Sequence, residues 1–196
     1  MTGSAVVGGE LFLTGCQPDS RSDVGFSPGD IALLDEVGET IIPETTTPGA
    51  RAIHIGEFMR LIVTDCYTEN QQSTFMEGLA EMESSCKKIY GNSFMQCSPT
   101  QKHDFLITLE KEAKRHDGMR RIINKSVQLF EKINQERNPS ESEGLPAHYY
   151  TMMKQLTLLG FFTSESGMTE TLRHEPVPGR YDGAMPYAKG EKAWAE

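Results

Sequence analysis

Apolar residues recur along this chain at three- and four-residue spacing, in blocks parted by breaks rich in Pro, Gly and Thr, and never with the two-residue period of a strand. Ile31, Leu34, Val37 and Ile41 make the first apolar face. Before them, Ser27-Pro28-Gly29-Asp30 offers a capping hydroxyl, a proline at the first helical position and an acid near the positive helix end. Pro43 stops that helix, and ETTTPGARA reads as a loop. A second face carries Ile55, Phe58, Met59, Ile62 and Cys66. Thr68-Glu69-Asn70-Gln71 matches a capping box and opens a third helix, with Phe75, Leu79, Met82, Cys86 and Ile89 inward and Gly91 at its end. Ser98-Pro99-Thr100-Gln101 is a second box, opening a fourth helix with Phe105, Leu106, Leu109 and Ala113. Residues 119–133 predict a fifth, with Ile122, Ile123, Val127, Phe130 and Ile133 at helical spacing, and the polar NQERNPSESEG stretch reads as an exposed connector. From Pro146 a sixth helix carries Tyr149, Met152, Met153, Leu156 and Leu159. Gly160 within that run lowers helix propensity, which points to close approach of a neighbouring backbone. The expectation is an all-α fold, a single irregular helical bundle.

The last helix breaks at Thr163-Ser164, makes one or two further helical turns, and gives way to HEPVPGRYDGAMPY, which cannot be helical. Pro176, Pro178 and Pro186 each remove a backbone donor and force the residue before them toward an extended shape. The chain therefore divides into residues 1–25 (an apolar start and polar linker), 26–174 (the helical domain) and 175–196 (an extended Pro/Gly-rich arm). An arm carrying Arg180, Tyr181, Tyr187 and Trp194 is built to lie on another protein. Arg180 supplies a planar donor fork, the aromatics supply rigid contact area, and Pro176 and Pro178 limit the entropy lost on docking. The competing expectation is an arm folded back over its own bundle.

Composition narrows the partners. A net charge of −9, from 19 basic and 28 acidic residues, argues against nucleic acid, which needs a basic face. No run approaches the roughly 18 to 20 apolar residues that span a bilayer. Residues 4–13 are nevertheless apolar and Gly-containing, and they lead into Leu13-Thr14-Gly15-Cys16, which resembles a lipoprotein lipobox. Cys16 is the expected lipidation site, giving a membrane anchor through acyl chains and no span. The first basic residue is Arg21 and Glu10 interrupts the apolar run, so the positive start of a signal peptide is missing. The accompanying expectation is that Met1 is not the natural start and that an Arg-containing segment precedes it.

Candidate chemistry is sparse. Cys86 and Cys97 are eleven positions apart, at a helix end and in the loop after it; a local disulfide is one reading, unpaired and partly buried thiols the simpler one. Cys66 reads as a core residue. His54, His103, His116, His148 and His174 show no ligand spacing, and neither CxxCH nor GxGxxG occurs, so no metal, haem or other cofactor is expected in this chain. Asp35-Glu36 and Glu110/Glu112 read as solvated helix faces, not acid/base pairs. Ten methionines at core spacing read as filler. No catalytic constellation emerges.

Three segments carry a resemblance: LTLLGFFTSESGMTETLRHEPVPGRYDGAMPY, the earlier DEVGETIIPETTTPGARA, and the closing KGEKAWAE. Over roughly residues 30–194 the chain resembles the gluconate 2-dehydrogenase subunit 3 family. The resemblance implies a non-catalytic partner of a large FAD-containing dehydrogenase subunit of the glucose-methanol-choline type. Electrons from that flavoprotein would pass to a cytochrome c subunit or another acceptor. It also implies export by a twin-arginine signal carrying the folded flavoprotein along, although residues 1–25 hold no paired arginines. Gluconate, an aldose at C1 and a glycoside at C3 are the substrates it implies, with the lipobox leaning toward the sugar- and glycoside-oxidising members. The expected setting is the periplasm, membrane-anchored. The rival expectation is a free-standing helical envelope lipoprotein that binds some other protein.

Overall fold

The computed structural model describes residues 24–134, 144–177, 179, 183–184, 186 and 188–195. Five α-helices dominate them: α1 (Pro28–Ile41), α2 (Ile55–Cys66), α3 (Glu69–Tyr90), α4 (Pro99–Asn134) and α5 (Tyr149–Thr163). Two short 3-10 turns, Ala50–Ile53 and Phe94–Gln96, join them. The described residues are all-α apart from one pair of two-residue strands, β1 (Arg173–His174) and β2 (Trp194–Ala195). Cys16 lies outside the described residues.

Local chemistry starts the helices where the sequence placed the starts. The Ser27 amide and hydroxyl both donate to Asp30 Oδ2 (2.8 and 2.7 Å), and the Asp30 amide donates back to Ser27 Oγ. Thr68 with Gln71 and Ser98 with Gln101 close the same reciprocal box. Gly91 ends α3 in the left-handed region, φ 76°.

α5 is the central helix. Tyr149, Tyr150, Met152, Met153, Leu156, Thr157 and Phe161 are buried on several of its sides, as befits a helix wrapped by neighbours. It packs on α1, α2, α3 and α4, and Leu34, Val37, Ile55, Met59, Val63, Phe75, Met82 and Phe105 complete the core around it. Gly160 does serve a close approach, but to side chains: a Cβ there would stand 2.5 Å from Ile55 Cδ1 and 2.6 Å from Phe58 Cδ1. Close backbone approach falls instead at Gly56, whose missing Cβ lets the Ile31 carbonyl of α1 press against α2.

Several expectations need correction. The fourth and fifth predicted helices are one continuous helix, α4, because Gly118 costs only about 1 kcal/mol of propensity and no proline intervenes. The sixth predicted helix starts at Tyr149, three residues after Pro146, with His148 Nδ1 accepting from the Tyr150 amide as its cap. Cys66 is exposed: it shares the face of Met59 and Val63 but sits in the last turn, past the cover of neighbouring helices. Ile89 and Leu159, expected inward, are 58% and 51% exposed.

Asp35 and Glu36 are not merely solvated. Asp35 Oδ1 accepts the Gly56 amide at 2.8 Å, satisfying a free donor at the start of α2. Glu36 accepts from Arg51 and, at 2.7 Å, from the buried Lys102 on α4. Glu110 likewise ties α4 to α5 through Lys154 at 3.0 Å, and the hydrogen bonds from Lys154 and Lys114 hold its carboxyl below the usual range.

Candidate functional site

The candidate docking site begins where α5 ends. Ser164 breaks the helix: its hydroxyl donates to the Phe161 carbonyl (2.7 Å) and accepts the Gly167 amide (3.0 Å). Gly167–Thr171 then makes a π turn, the extra turn expected from the sequence, and the chain leaves it as β1. β1 does not run out into solvent unpaired. β2, at the far end of the arm, lies parallel to it, with the Arg173 amide donating to the Ala193 carbonyl (2.8 Å) and the Glu175 amide to the Ala195 carbonyl (3.1 Å).

Side chains close the same joint. The Arg173 guanidinium sits 3.9 Å over the Trp194 ring, and Lys192 Nζ donates to the Glu170 carbonyl near the end of the π turn. A cleft of about 420 Å³ lies here, lined by Thr169, Leu172, Arg173, His174, Glu191 and Lys192. The arm is therefore a loop stapled at its own root. None of its described residues is buried.

Among the residues expected to meet a partner, Pro176 and Trp194 are described. Pro176 is exposed, and Trp194 is 43% exposed with one ring face taken by Arg173. Pro178, Arg180, Tyr181 and Tyr187 lie outside the described residues. Next to the root, Leu158, Leu159 and Phe162 of α5 are exposed at 39–51%.

The cysteine pair is a contact. Cys86 and Cys97 are both buried free thiols with Sγ atoms 3.4 Å apart. Burial first, and then the hydrogen bond with Cys97, pushes the Cys86 thiol up to about 12.

The sequence reading missed a second polar centre, at the α4–α5 joint. Asp117 is buried and accepts from the His148 amide (3.0 Å), Thr151 Oγ1 (2.7 Å) and His116 Nδ1 (3.3 Å), with Arg120 Nε at 3.5 Å. Burial alone would raise its carboxyl; these donors and the Arg120 charge outweigh it and hold the group below the ordinary range. Burial and the His116 charge push His148 down. No local signal announces this centre, because the partners of Asp117 on α5 lie 31 and 34 positions away. The arrangement braces a joint: every oxygen contact of Asp117 runs to the neighbouring turn or to the start of α5.

No group of three or more His, Cys, Asp or Glu side chains among the described residues could hold a metal ion. No helix among them is long and apolar enough to cross a membrane. Residues 28–179 match the family described as gluconate 2-dehydrogenase subunit 3. The chain belongs to that family. The match runs from the first residue of α1 through the π turn and into the arm. As a family member, the chain is an accessory subunit of a dehydrogenase complex. No curated protein and no solved structure matches it.

Proposed function

We propose that this subunit is the non-catalytic scaffold of a periplasmic, FAD-dependent carbohydrate dehydrogenase whose catalytic partner is a flavoprotein of the glucose-methanol-choline type. Its substrate is gluconate, an aldose or a glycoside oxidised at C3. The family match across residues 28–179 carries this reading, since it takes in the bundle and the root of the arm together. The use of polar groups supports it: the half-buried Glu36 and the buried Lys102 and Asp117 bind helix to helix.

The arm, residues 175–196, is the docking device. Stapling by β1–β2 and Arg173–Trp194 presets a loop of about twenty residues, which lowers the ordering cost when Pro176, Pro178, Arg180, Tyr181 and Tyr187 meet the large subunit. Trp194 contributes its uncovered face. A cytochrome c subunit takes the electrons onward. Cys16 carries the lipid that holds the assembly at the membrane, and export brings the folded flavoprotein along. In that oxidising compartment the touching Cys86 and Cys97 close into a disulfide.

Co-expression with the flavoprotein encoded beside this chain tests the reading. Deleting residues 175–196 should abolish co-purification while leaving helical content intact by circular dichroism. A truncated chain that still brings down the flavoprotein removes the docking role of the arm.

A further inference from the structure

Among the described residues, the second half of α4 leaves most of its apolar side chains uncovered. At roughly 1.5 Å per residue, a helix of 36 residues runs about 54 Å, far beyond the 15-residue α5 beside it. The last buried side chain of α4 among the described residues is Asp117. Beyond it Met119, Ile122, Ile123, Val127, Leu129 and Phe130 are 38–68% exposed. At about 100° per residue these six fall within about 160° of one side of the helix. Arg121, Lys125 and Lys132 line one edge of that stripe.

The overhang is fixed in rotation. Asn124 exchanges two hydrogen bonds with Leu145, its Nδ2 to the carbonyl (3.2 Å) and its Oδ1 from the amide (2.9 Å), and Arg120 also reaches that carbonyl. The stripe therefore turns mostly away from the segment that precedes α5, with Val127 at its border. A solvated helix of this length is marginal without an apolar face buried somewhere.

We propose that the second half of α4 docks by its apolar stripe into a hydrophobic groove on the catalytic subunit, with acidic side chains on the rim that meets Arg121, Lys125 and Lys132. This rests on the catalytic partner assigned above. Three observations select a protein groove. The stripe presents anchors at i, i+4 and i+7 (Ile123, Val127, Phe130), the pattern by which helices seat in grooves. Met, Phe and Arg, its distinctive residues, are those enriched at protein interfaces. The helix also stands as a ridge between two clefts. One, of about 530 Å³, is lined by Val127 and Gln128 on α4 with Tyr67 and Pro146 opposite. The other, of about 400 Å³, is lined by Lys114 and Arg121 with Tyr150 and Leu158. A ridge with clefts on both flanks fits a concave protein surface and meets a flat bilayer poorly.

Charge points the same way. Residues 111–132 hold seven basic and three acidic side chains in a chain whose net charge is −9. A second copy would bring two acidic bodies together, whereas an acidic rim complements the edge directly. Leu158 links the second cleft to the exposed Leu159 and Phe162 near the arm root, so α4 and the arm can grip one partner from two sides.

The test uses the full chain, arm included, co-expressed with the neighbouring flavoprotein. Ile122→Asp/Phe130→Asp alters two solvent-exposed positions and should leave the thermal midpoint of the isolated chain unchanged while weakening the complex at least 100-fold. Arg121→Glu/Lys125→Glu should weaken it about tenfold at low salt and flatten its salt dependence. A wild-type chain that binds the flavoprotein, with both variants binding equally well, overturns the proposal and leaves the assigned partner standing. A wild-type chain that does not bind overturns the partner assignment and this proposal with it. Flotation on phosphatidylglycerol vesicles that the Ile122→Asp/Phe130→Asp variant abolishes, with flavoprotein binding intact, makes the stripe a lipid face and also overturns it.

Discussion

The thiols of Cys86 and Cys97 touch, Sγ to Sγ at 3.4 Å, inside the core between the end of α3 and the turn that follows it. With Cys86 pushed up to about 12, almost none of it is thiolate near neutral pH. In the reduced protein at pH 8, iodoacetamide should modify the exposed Cys66 quickly and spare Cys86 and Cys97 until the chain unfolds. Glutathione disulfide should oxidise the pair after partial opening, forming one S–S bond and releasing two glutathione thiols. Closing so short a loop should stabilise the protein by about 3 kcal/mol, read from denaturant midpoints with and without oxidation. Equal labelling of Cys66, Cys86 and Cys97 in the native protein would contradict the buried contact.

Alkaline stability follows from the same burial. Tyr150 is raised to about 12 and Tyr149 is raised further, both by desolvation first, alongside Cys86. In the unfolded chain these groups ionise from their ordinary values of 9.0 and 10.0, while the folded chain retains their protons. Stability should therefore be intact below pH 9 and fall as pH climbs toward 12. A midpoint that stays flat across that window would rule out the burial of these three side chains.

The acid limb has two steps. His148 is depressed below 6.5, so the stability tied to its neutral form is present above that value and is lost as pH drops beneath it. Asp117 is depressed below 3.8 and Glu110 below 4.5, and together they add a second loss as pH falls further. Asp117→Asn should shrink the lower step. It should also cost about 2 kcal/mol at pH 7, the value of charge-assisted hydrogen bonds, seen as a drop in thermal midpoint.

Gly56 tests the α1–α2 contact. Gly56→Ala gains about 1 kcal/mol of helix propensity, yet its Cβ meets the Ile31 carbonyl, a backbone atom that cannot step aside. Net destabilisation of about 2 kcal/mol is expected from chemical denaturation. A stabilised variant would show that the two helices are farther apart.

The arm staple is local. Trp194→Ala should remove a cation–π contact of about 0.5–1 kcal/mol and speed hydrogen exchange at the Arg173 and Glu175 amides, without moving the global midpoint. Unchanged exchange at both amides would mean that the strand pair closes without the ring.

Local signals were legible in the sequence, and distant partnerships were not. The cap at Ser27 and the boxes at Thr68 and Ser98 lie within four residues, so they read directly off the chain and stand in the structure. The break at Ser164 was legible for the same reason. The continuity of α4 was not legible, because Asp117 in its middle is held from α5, 31 positions away. Glu36 pairs with Lys102, 66 positions away, and no pattern within α1 announces that. Periodicity gave the faces of Cys66, Ile89 and Leu159 correctly as apolar stripes, but which turns a neighbour covers depends on where the other helices end. The arm's composition pointed to a partner; that Trp194 first returns to Arg173 is a tertiary fact.

Flavin content and sugar-dependent dye reduction, measured on this chain purified alone and on its complex with the neighbouring flavoprotein, test the central claim most directly. The account predicts a colourless, inactive chain and a yellow, active complex, with gluconate, aldose or glycoside as reductant. A chain that alone retains flavin and reduces the dye when given sugar would contradict it.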